Sequence, residues 1–378
     1  MYKNLILPAA ILAGAIIGAG IFALPFVFIK AGIIAGLFYL GIFSFVFILI
    51  HLMYAEVIIK TEGEHRFPGY VKIYLGKISF WLANLTSILG MLLVLTVYLI
   101  LAASFLWLIL PTSFDASDIF KIMFFWLLGS IAIFMEIKRL AFSEFLITTG
   151  IVLIAFLLFI FGAFNFGKII SISAFNFKNI FLPCGVILFA LSGRVAIPAV
   201  INYFQKIKQP VIKAKQPIIL GTLIPAFVYV LFVFGVLGLS GAVSEDAVSG
   251  LVGNFSPFIL SLVGIFGLIS IWSSYVVVGL DVKNSLKFDL KFPKILAGLI
   301  VIGTPLFLLF AGFCNFLILI GVVGGVFISL EGIFIVLMWL KSRKIETGEA
   351  IFKKLNPIIV YALIIIFLGG IIYQFTRF

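Results

Sequence analysis

The chain has 378 residues, of which 64% are hydrophobic and only 11% are charged, and its net charge is +12. A soluble domain carries about 25% charged residues, so this composition excludes a water-soluble enzyme, a disordered chain and a nucleic-acid-binding protein. Eleven spanning helices of about 20 residues use about 220 positions, which leaves no room for a soluble domain. The composition therefore indicates an all-α integral membrane protein.

Apolar runs bounded by charged or turn residues predict about eleven transmembrane helices. The runs fall near residues 5–29, 33–59, 78–110, 119–136, 142–164, 179–203, 217–240, 258–281, 293–311, 314–340 and 357–376. The third run would be about 50 Å long as a helix, against a hydrocarbon core of about 30 Å. We therefore expect the third helix to tilt strongly or to protrude.

The basic residues cluster on one side of the membrane in this arrangement. With the N-terminus inside, 20 of the 26 Lys and Arg residues fall in inside segments. The positive-inside rule places the N-terminus in the cytoplasm and, after eleven helices, the C-terminus outside a plasma or inner membrane. The lipid bilayer is thus the expected partner of the basic loops, and no nucleic acid is expected. The oligomeric state stays open, with a monomer as one option.

Two segments share a pattern interrupted by Gly and Pro. Gly18-Ala-Gly-Ile-Phe-Ala-Leu-Pro25 in the first run matches Leu191-Ser-Gly-Arg-Val-Ala-Ile-Pro198 in the sixth, at a constant offset of 173 residues. Glycine tolerates unusual backbone angles and proline removes a backbone donor, so helical hydrogen bonding should lapse near Gly18–Ile21 and Ser192–Arg194. Five helices separate the copies, so they run in opposite directions. Such a pair indicates a secondary transporter's binding site, with close helix packing as the alternative.

The first of these segments resembles the signature of a known family. Gly14-Ala-Ile-Ile-Gly-Ala-Gly-Ile-Phe-Ala-Leu-Pro-Phe26 is similar to the first helix of amino-acid permeases of the amino acid–polyamine–organocation (APC) superfamily. Within it, the nearest branches are the amino acid/auxin permeases and the aromatic amino acid (Trp/Tyr) permeases. Shorter matches follow at His65–Tyr70, Leu182–Gly193, Gly221–Pro225 and Ser244–Gly250. Arg194 and Ala199 depart from the pattern of many relatives, so the resemblance does not fix the substrate.

The resemblance implies the 5+5 inverted-repeat fold of the bacterial leucine transporter, with helices one and six broken at the substrate site. Residues 1–164 would form the first five-helix repeat and residues 165–340 the second, inverted repeat. Residues 341–378 would form a cytoplasmic linker and an additional helix 11. The long third helix fits the same fold.

The resemblance also implies which residues contact the substrate. The two broken segments would hold its carboxylate and amino groups, and the third helix would reach the pocket through Tyr98 or Thr96. The contacts implied in the broken segments are Gly18, Ala19, Gly20, Ile21, Ala190, Leu191, Ser192 and Gly193. Apolar candidates such as Ile21, Leu191 and Trp272 favour a neutral or aromatic amino acid.

Arg194 lies beside the second break, where an arginine costs about 2.5–3.5 kcal/mol unless it has a partner or a path to water. It is a candidate to bind a substrate carboxylate in a bidentate geometry. The alternative is an internal ion pair with Glu331, Glu144 or Glu56. The same three glutamates are candidates for gating or for proton-linked transport. His51 is expected to be a packing residue of the second helix.

Three hydroxyls of the eighth helix suggest a cation site. Ser270, Ser273 and Ser274 lie toward one helical face. The resemblance implies that such hydroxyls join backbone carbonyls of Gly14 and Ile17 to hold sodium, although helical serines also bond their own backbone. Some proton-driven relatives place a lysine from helix five there, and the run 142–164 has none. This favours sodium over protons.

The sequence thus predicts a secondary active transporter that moves an amino acid by alternating access, coupled to sodium or protons. A channel or facilitator for a small polar solute is the alternative, but no selectivity-filter sequence is present. An integral-membrane enzyme is a further alternative, yet no H-E-x-x-H, G-x-S-x-G or paired-aspartate motif occurs. No cofactor or metal is expected beyond Na⁺ or H⁺ as the coupling ion.

Overall fold

The computed structural model describes residues 2–110, 117–136, 141–165, 167, 169, 171–240, 242–253, 257–344, 350–352 and 354–376, and the side chains of 2, 3 and 141–145 lie outside this description. Within these ranges every regular element is a helix. The first half contains α1 (Leu7–Ile16), α2 (Gly20–Ala31), α3 (Ile33–Ile59), α4 (Phe67–Leu75), α5 (Lys77–Ile109), α6 (Asp118–Phe134) and α7 (Ala141–Ala163). The second half contains α8 (Leu182–Ala190), α9 (Ile197–Lys206), α10 (Lys215–Leu239), α11 (Pro257–Asn284), α12 (Lys294–Phe310), α13 (Phe316–Val322), α14 (Ser329–Ser342) and α15 (Pro357–Thr376).

The eleven predicted runs all coincide with helices or pairs of helices. Among the described residues, eight helical segments are long and apolar enough to cross a membrane, and the bent pair Asn4–Ile16 and Gly20–Ala31 makes a ninth. The two remaining runs form α6 and α12, which have 17 residues each. The short helix α4 follows the second span and was not predicted. The all-α membrane fold is therefore confirmed.

Helices one and six are broken, as predicted. The axes of α1 and α2 differ by 63°, and Ile17 between them has an extended backbone with φ −73° and ψ 96°. The second break runs from Leu191 to Gly193 and is followed by a 3₁₀ turn at Arg194–Ala196. Pro198 falls in the first turn of α9, where its missing N–H costs no helical hydrogen bond. The breaks therefore lie where the Gly/Pro pattern placed them, within one or two residues.

The two broken helices touch at a glycine. A Cβ atom on Gly20 would lie 2.5 Å from the Cα atom of Ala190, which is closer than side chains can pack. A second close approach joins α8 to the π-helical turn Val323–Ile328, where a Cβ on Gly324 would overlap the carbonyl oxygen of Gly185. The tenth span consists of α13, this π-helical turn and α14. These positions let α2, α8 and the tenth span meet backbone to backbone around the centre of the protein.

The end of α6 is held by a buried lysine of α11. The Lys283 ammonium donates to the carbonyl of Ile133 at 3.0 Å and pairs with Glu136 at 3.2 Å. Glu136 also pairs with Lys294 at 3.1 Å. Hydrogen bonds from Lys294 and Lys283 lower the pKa of Glu136, which lies just beyond the helix end. This cluster fixes α6, α11 and α12 to one another on the predicted cytoplasmic side.

Candidate functional site

A cavity of about 110 Å³ lies between the two breaks. Its walls come from both broken segments, from α5, from α11 and from the tenth span. The sequence-predicted residues that line it are Gly18, Ala19, Gly20, Tyr98, Ser192, Arg194 and Glu331. Residues that sequence reasoning missed complete the wall: Ala15, Ile16, Ser87, Gly90, Met91, Val94, Phe189, Val195, Val278, Val323, Phe327 and Ile328. We call this space the central cavity.

Several residues predicted to contact the substrate do not line the central cavity. Ile21, Leu191 and Thr96 are buried in the packed interior. Ala190 abuts Gly20, and Gly193 is held by a side chain of α3 as described below. Ala190 therefore forms the contact between the broken helices, while its neighbours Phe189 and Ser192 line the cavity.

Trp272 lies away from the central cavity, against the sequence expectation. It lines a separate apolar cavity of about 150 Å³ together with Phe125 of α6 and Leu106 of α5. The reason is helical phase: at about 100° per residue, position 272 is rotated about 200° from Ser270. Because the serine face of α11 points inward, Trp272 points to the opposite side.

Arg194 and Glu331 form a two-pronged ion pair. Arg194 Nε donates to Glu331 Oε2 at 2.7 Å and Nη2 donates to Oε1 at 2.8 Å. The Ser87 hydroxyl donates to the same Oε1 at 2.8 Å, and the Phe67 ring lies 4.3 Å from the guanidinium carbon. Both charged residues are only 8% exposed. Of the partners left open for Arg194, the structure selects Glu331.

The other two glutamates are not brought to this pair. Glu56 is fully buried, accepts a hydrogen bond from the Phe352 backbone N–H at 2.9 Å and lies 3.6 Å from the Lys60 ammonium. It therefore anchors the segment 350–352 to α3 rather than lining the central cavity. The side chain of Glu144, the third gating candidate, lies outside the described residues.

The five residues predicted to bind an ion line one small polar pocket. Gly14, Ile17, Ser270, Ser273 and Ser274 surround a space of about 10 Å³, which is the size of about one water molecule. Thr148 of α7 adds a hydroxyl that the sequence pattern did not indicate.

The first break supplies free carbonyls beside this pocket. Among the described residues, no N–H four positions further on donates to the carbonyl of Gly14 or of Ile17, because α1 ends at Ile16. Hydroxyl and carbonyl oxygens are the ligands that hard cations prefer. The residues present therefore fit a small monovalent cation such as Na⁺.

A buried histidine holds the second break in place. Thr222 Oγ1 donates to its own helix at the Ile218 carbonyl, at 2.9 Å, so it accepts the Nδ1–H of His51 at 3.0 Å. His51 Nε2 then accepts the backbone N–H of Gly193 at 3.2 Å. The neutral imidazole thus joins α3 and α10 to the unwound segment, a role that reaches beyond simple packing.

A tyrosine joins the two broken helices. The Tyr229 hydroxyl of α10 lies 2.9 Å from the carbonyl oxygen of Ile16 and 2.7 Å from that of Ala190. Because α1 ends at Ile16 and α8 ends at Ala190, these two carbonyls have no donor within their own helices. The single Tyr229 hydroxyl proton is shared between them. No local sequence pattern marks Tyr229, because both its partners are distant in the chain.

We expect His51→Leu to raise the substrate concentration for half-maximal uptake about tenfold, because a buried N–H left without an acceptor costs about 1–3 kcal/mol. His51→Gln, whose amide oxygen can accept from Gly193, should recover part of the loss. Concentration-dependent uptake in proteoliposomes measures both. Ser44→Ala is the matched control, since Ser44 is a buried polar residue of α3 whose hydroxyl donates to the Leu40 carbonyl of the same helix. Equal effects of the Leu and Gln substitutions would contradict the role given to His51.

Two solved structures share this fold over nearly their whole length. MhsT, solved in complex with L-phenylalanine, has a TM-score of 0.63 and 16% identity and covers 98% of this chain and 97% of its own. Mhp1, a nucleobase-cation-symport-1 family transporter solved in a closed conformation with bromovinylhydantoin bound, has a TM-score of 0.63 and 14% identity and covers 97% of this chain and 89% of its own. The fold is therefore that of the leucine-transporter-like membrane proteins.

The sequence places the chain in one family of transporters with this fold. The model of the tryptophan/tyrosine permease family matches residues 1–376, so the chain belongs to that family. The resemblance to aromatic amino acid permeases is thereby confirmed, and the protein is an amino acid transporter rather than an enzyme. A search of curated proteins gave no match.

Proposed function

We propose that the protein transports an aromatic amino acid together with Na⁺ by alternating access around the central cavity. The observation that carries this proposal is the pairing of two sites at the first break. The central cavity opens on one side of the break, and the small polar pocket lies on the other, joined through the backbone of Gly14 to Gly18. Ion and substrate can therefore stabilise the same backbone conformation.

The central cavity has separate surfaces for the two ends of an amino acid. The α2 helix begins at Gly20 on the cavity wall, and helix N-termini favour a carboxylate. Phe189, Phe327 and Met91 provide apolar and aromatic surface for a side chain. Arg194 already pairs with Glu331, so it is not needed for a second negative charge on the substrate. These features favour a neutral aromatic substrate over an acidic one.

Sodium is favoured over protons as the coupling ion. The polar pocket is lined by hydroxyl-bearing and apolar residues, and no lysine is among them. Glu331, the proton-linked candidate nearest the central cavity, is held by Arg194 and Ser87. Both of its carboxylate oxygens already accept hydrogen bonds.

The placement in the membrane is also proposed. The N-terminus lies in the cytoplasm and the C-terminus outside, in a plasma or inner membrane, because the loops with most Lys and Arg residues share one side. Residues 1–164 and 165–340 are proposed as the two inverted repeats, with residues 341–378 as the linker and final helix. The break-to-break offset of 173 residues supports this division.

The test is uptake of labelled amino acids in proteoliposomes with sodium and proton gradients imposed separately. We expect saturable accumulation of tryptophan, tyrosine or phenylalanine driven by an inward sodium gradient. Non-saturable flux that never exceeds equilibrium would indicate a channel. Accumulation driven only by a proton gradient would overturn the assignment of sodium.

The small polar pocket also predicts how uptake depends on sodium when two of its hydroxyls are removed. Ser270→Ala with Ser273→Ala should raise the sodium concentration for half-maximal uptake about tenfold, because two ligands worth about 0.5–1.5 kcal/mol each are lost. The measurement is uptake against sodium concentration at saturating substrate. Ser261→Ala is the control, since Ser261 lies on the same helix and contacts the Leu108 carbonyl outside the pocket. An unchanged sodium dependence in the double variant would exclude this pocket as the ion site.

A further inference from the structure

A second cavity lies next to the central cavity, on the side that carries the loop after α3. It has a volume of about 190 Å³, and we call it the vestibule. Ser87, Met91, Arg194 and Val195 line both cavities, so the Arg194–Glu331 pair stands at their boundary. A solute that passes between the central cavity and this side of the membrane therefore crosses the vestibule.

The vestibule contains a carboxylate without a partner. Asp281 of α11 lines the cavity, and in the part of the chain that the structure describes it makes no hydrogen bond and no ion pair. The neighbouring charges are already matched: Arg194 pairs with Glu331, and Arg66 pairs with Asp289 at 3.5 Å. An ionisable side chain inside a membrane protein without such a partner marks a functional position.

The charges around Asp281 favour the binding of a cation in the vestibule. The two arginines that line the vestibule are each paired with a carboxylate, Arg194 with Glu331 and Arg66 with Asp289. Neither guanidinium charge is therefore free to balance an ionised Asp281. A cation that enters the vestibule would neutralise it without displacing either existing pair.

The other residues that line the vestibule can bind the carboxylate and the side chain of an amino acid. Arg194 uses Nε and one N–H of Nη2 on Glu331, so further guanidinium N–H groups are available for a substrate carboxylate. The rings of Tyr54 and Phe67 provide aromatic surface in the same cavity. A negative group, guanidinium donors and aromatic rings together match a zwitterion that has an aromatic side chain.

We propose that the vestibule is a second, transient binding site for the transported amino acid, in which Asp281 binds the substrate ammonium group. This inference rests on the proposed function, because it takes the aromatic amino acid as the solute. The substrate leaves the central cavity past the Arg194–Glu331 pair and is held at Asp281 before release. The central cavity and the vestibule thus act in sequence.

The test counts binding sites on the purified full-length chain. Equilibrium binding of labelled tryptophan should reveal two sites per chain in the wild type, one tight and one weak. Asp281→Asn should weaken the weak site by at least about tenfold, which corresponds to about 1.4 kcal/mol, and should leave the tight site unchanged. Tryptamine, which keeps the ammonium group and lacks the carboxylate, should also lose binding in Asp281→Asn.

Controls separate this proposal from folding and from the proposed function. The tight site reports that Asp281→Asn is folded, and Glu62→Gln changes an exposed carboxylate of the same face that does not line the vestibule. One site per chain in the wild type, or an unchanged weak site in Asp281→Asn, would overturn the vestibule site alone. A change in sodium binding with tryptophan binding unaltered would also overturn it. Absence of any amino acid binding to the wild type would instead contradict the proposed function.

Discussion

Glu331→Ala is expected to abolish concentrative uptake and to lower the free energy of unfolding by about 3–5 kcal/mol, because it leaves the Arg194 guanidinium buried without its counter-charge. The pair lies at the boundary between the central cavity and the vestibule and is joined by two hydrogen bonds of 2.7 and 2.8 Å. Its loss therefore affects both the stability of the fold and the barrier that separates the two cavities. Uptake in proteoliposomes and equilibrium unfolding in detergent measure the two effects.

Two further variants separate stability from transport. Replacing both partners, Arg194→Met with Glu331→Leu, removes the buried charges together and should restore most of the stability, since an apolar pair of similar volume is often neutral. Uptake should stay lost, because the boundary no longer has a pair that can open and close in water. Glu64→Ala is the control, since Glu64 is exposed and accepts a hydrogen bond from the Asn202 amide at 3.5 Å, away from the pair. Full uptake by the double variant would contradict a gating role for the pair.

The breaks could be predicted from the sequence because their cause is local. Gly20 and Pro25 act on the backbone within one turn, and the same holds for Gly193 and Pro198. The resemblance and the helical spacing grouped five residues that do line one small polar pocket, and the spacing fixes the common face of Ser270 and its neighbours; that the pocket binds an ion stays a prediction. Trp272 was misplaced although the same spacing rule excludes it, because apolar character alone does not say which side of a helix faces a cavity.

The partners of buried charges could not be predicted. The sequence left three glutamates as possible partners of Arg194, and only the packing of the sixth and tenth spans selects Glu331. Glu56 finds its hydrogen-bond donor in the segment at Phe352, 296 positions away in the chain. Asp281 lies at the end of the apolar run 258–281, next to the lysines of the following loop, and no sequence pattern marks it as a functional residue. Long-range packing decides the partners of Arg194 and Glu56 and leaves Asp281 without one among the described residues, and a single sequence does not contain this information.

Gly20→Ala is expected to lower the rate of uptake at least tenfold and to destabilise the protein by about 1–3 kcal/mol, the usual cost of overpacking a dense interior. The new methyl group would lie 2.5 Å from the Cα atom of Ala190, and a backbone atom cannot rotate away as a side chain can. The two broken helices would therefore have to separate at the wall of the central cavity. Uptake kinetics and thermal unfolding measure the effect.

The contact also predicts how far the defect can be repaired. Adding Ala190→Gly to Gly20→Ala removes the Ala190 Cβ atom, which lies 2.7 Å from the new methyl group, but leaves the Cα atom at 2.5 Å. Rescue should therefore be partial. Gly41→Ala is the matched control, because Gly41 lies in α3 with no heavy atom within 4 Å of an added Cβ, so uptake should be unchanged. If Gly20→Ala transports like Gly41→Ala, the broken helices do not need their backbone contact, and the geometry assigned to the central cavity is wrong.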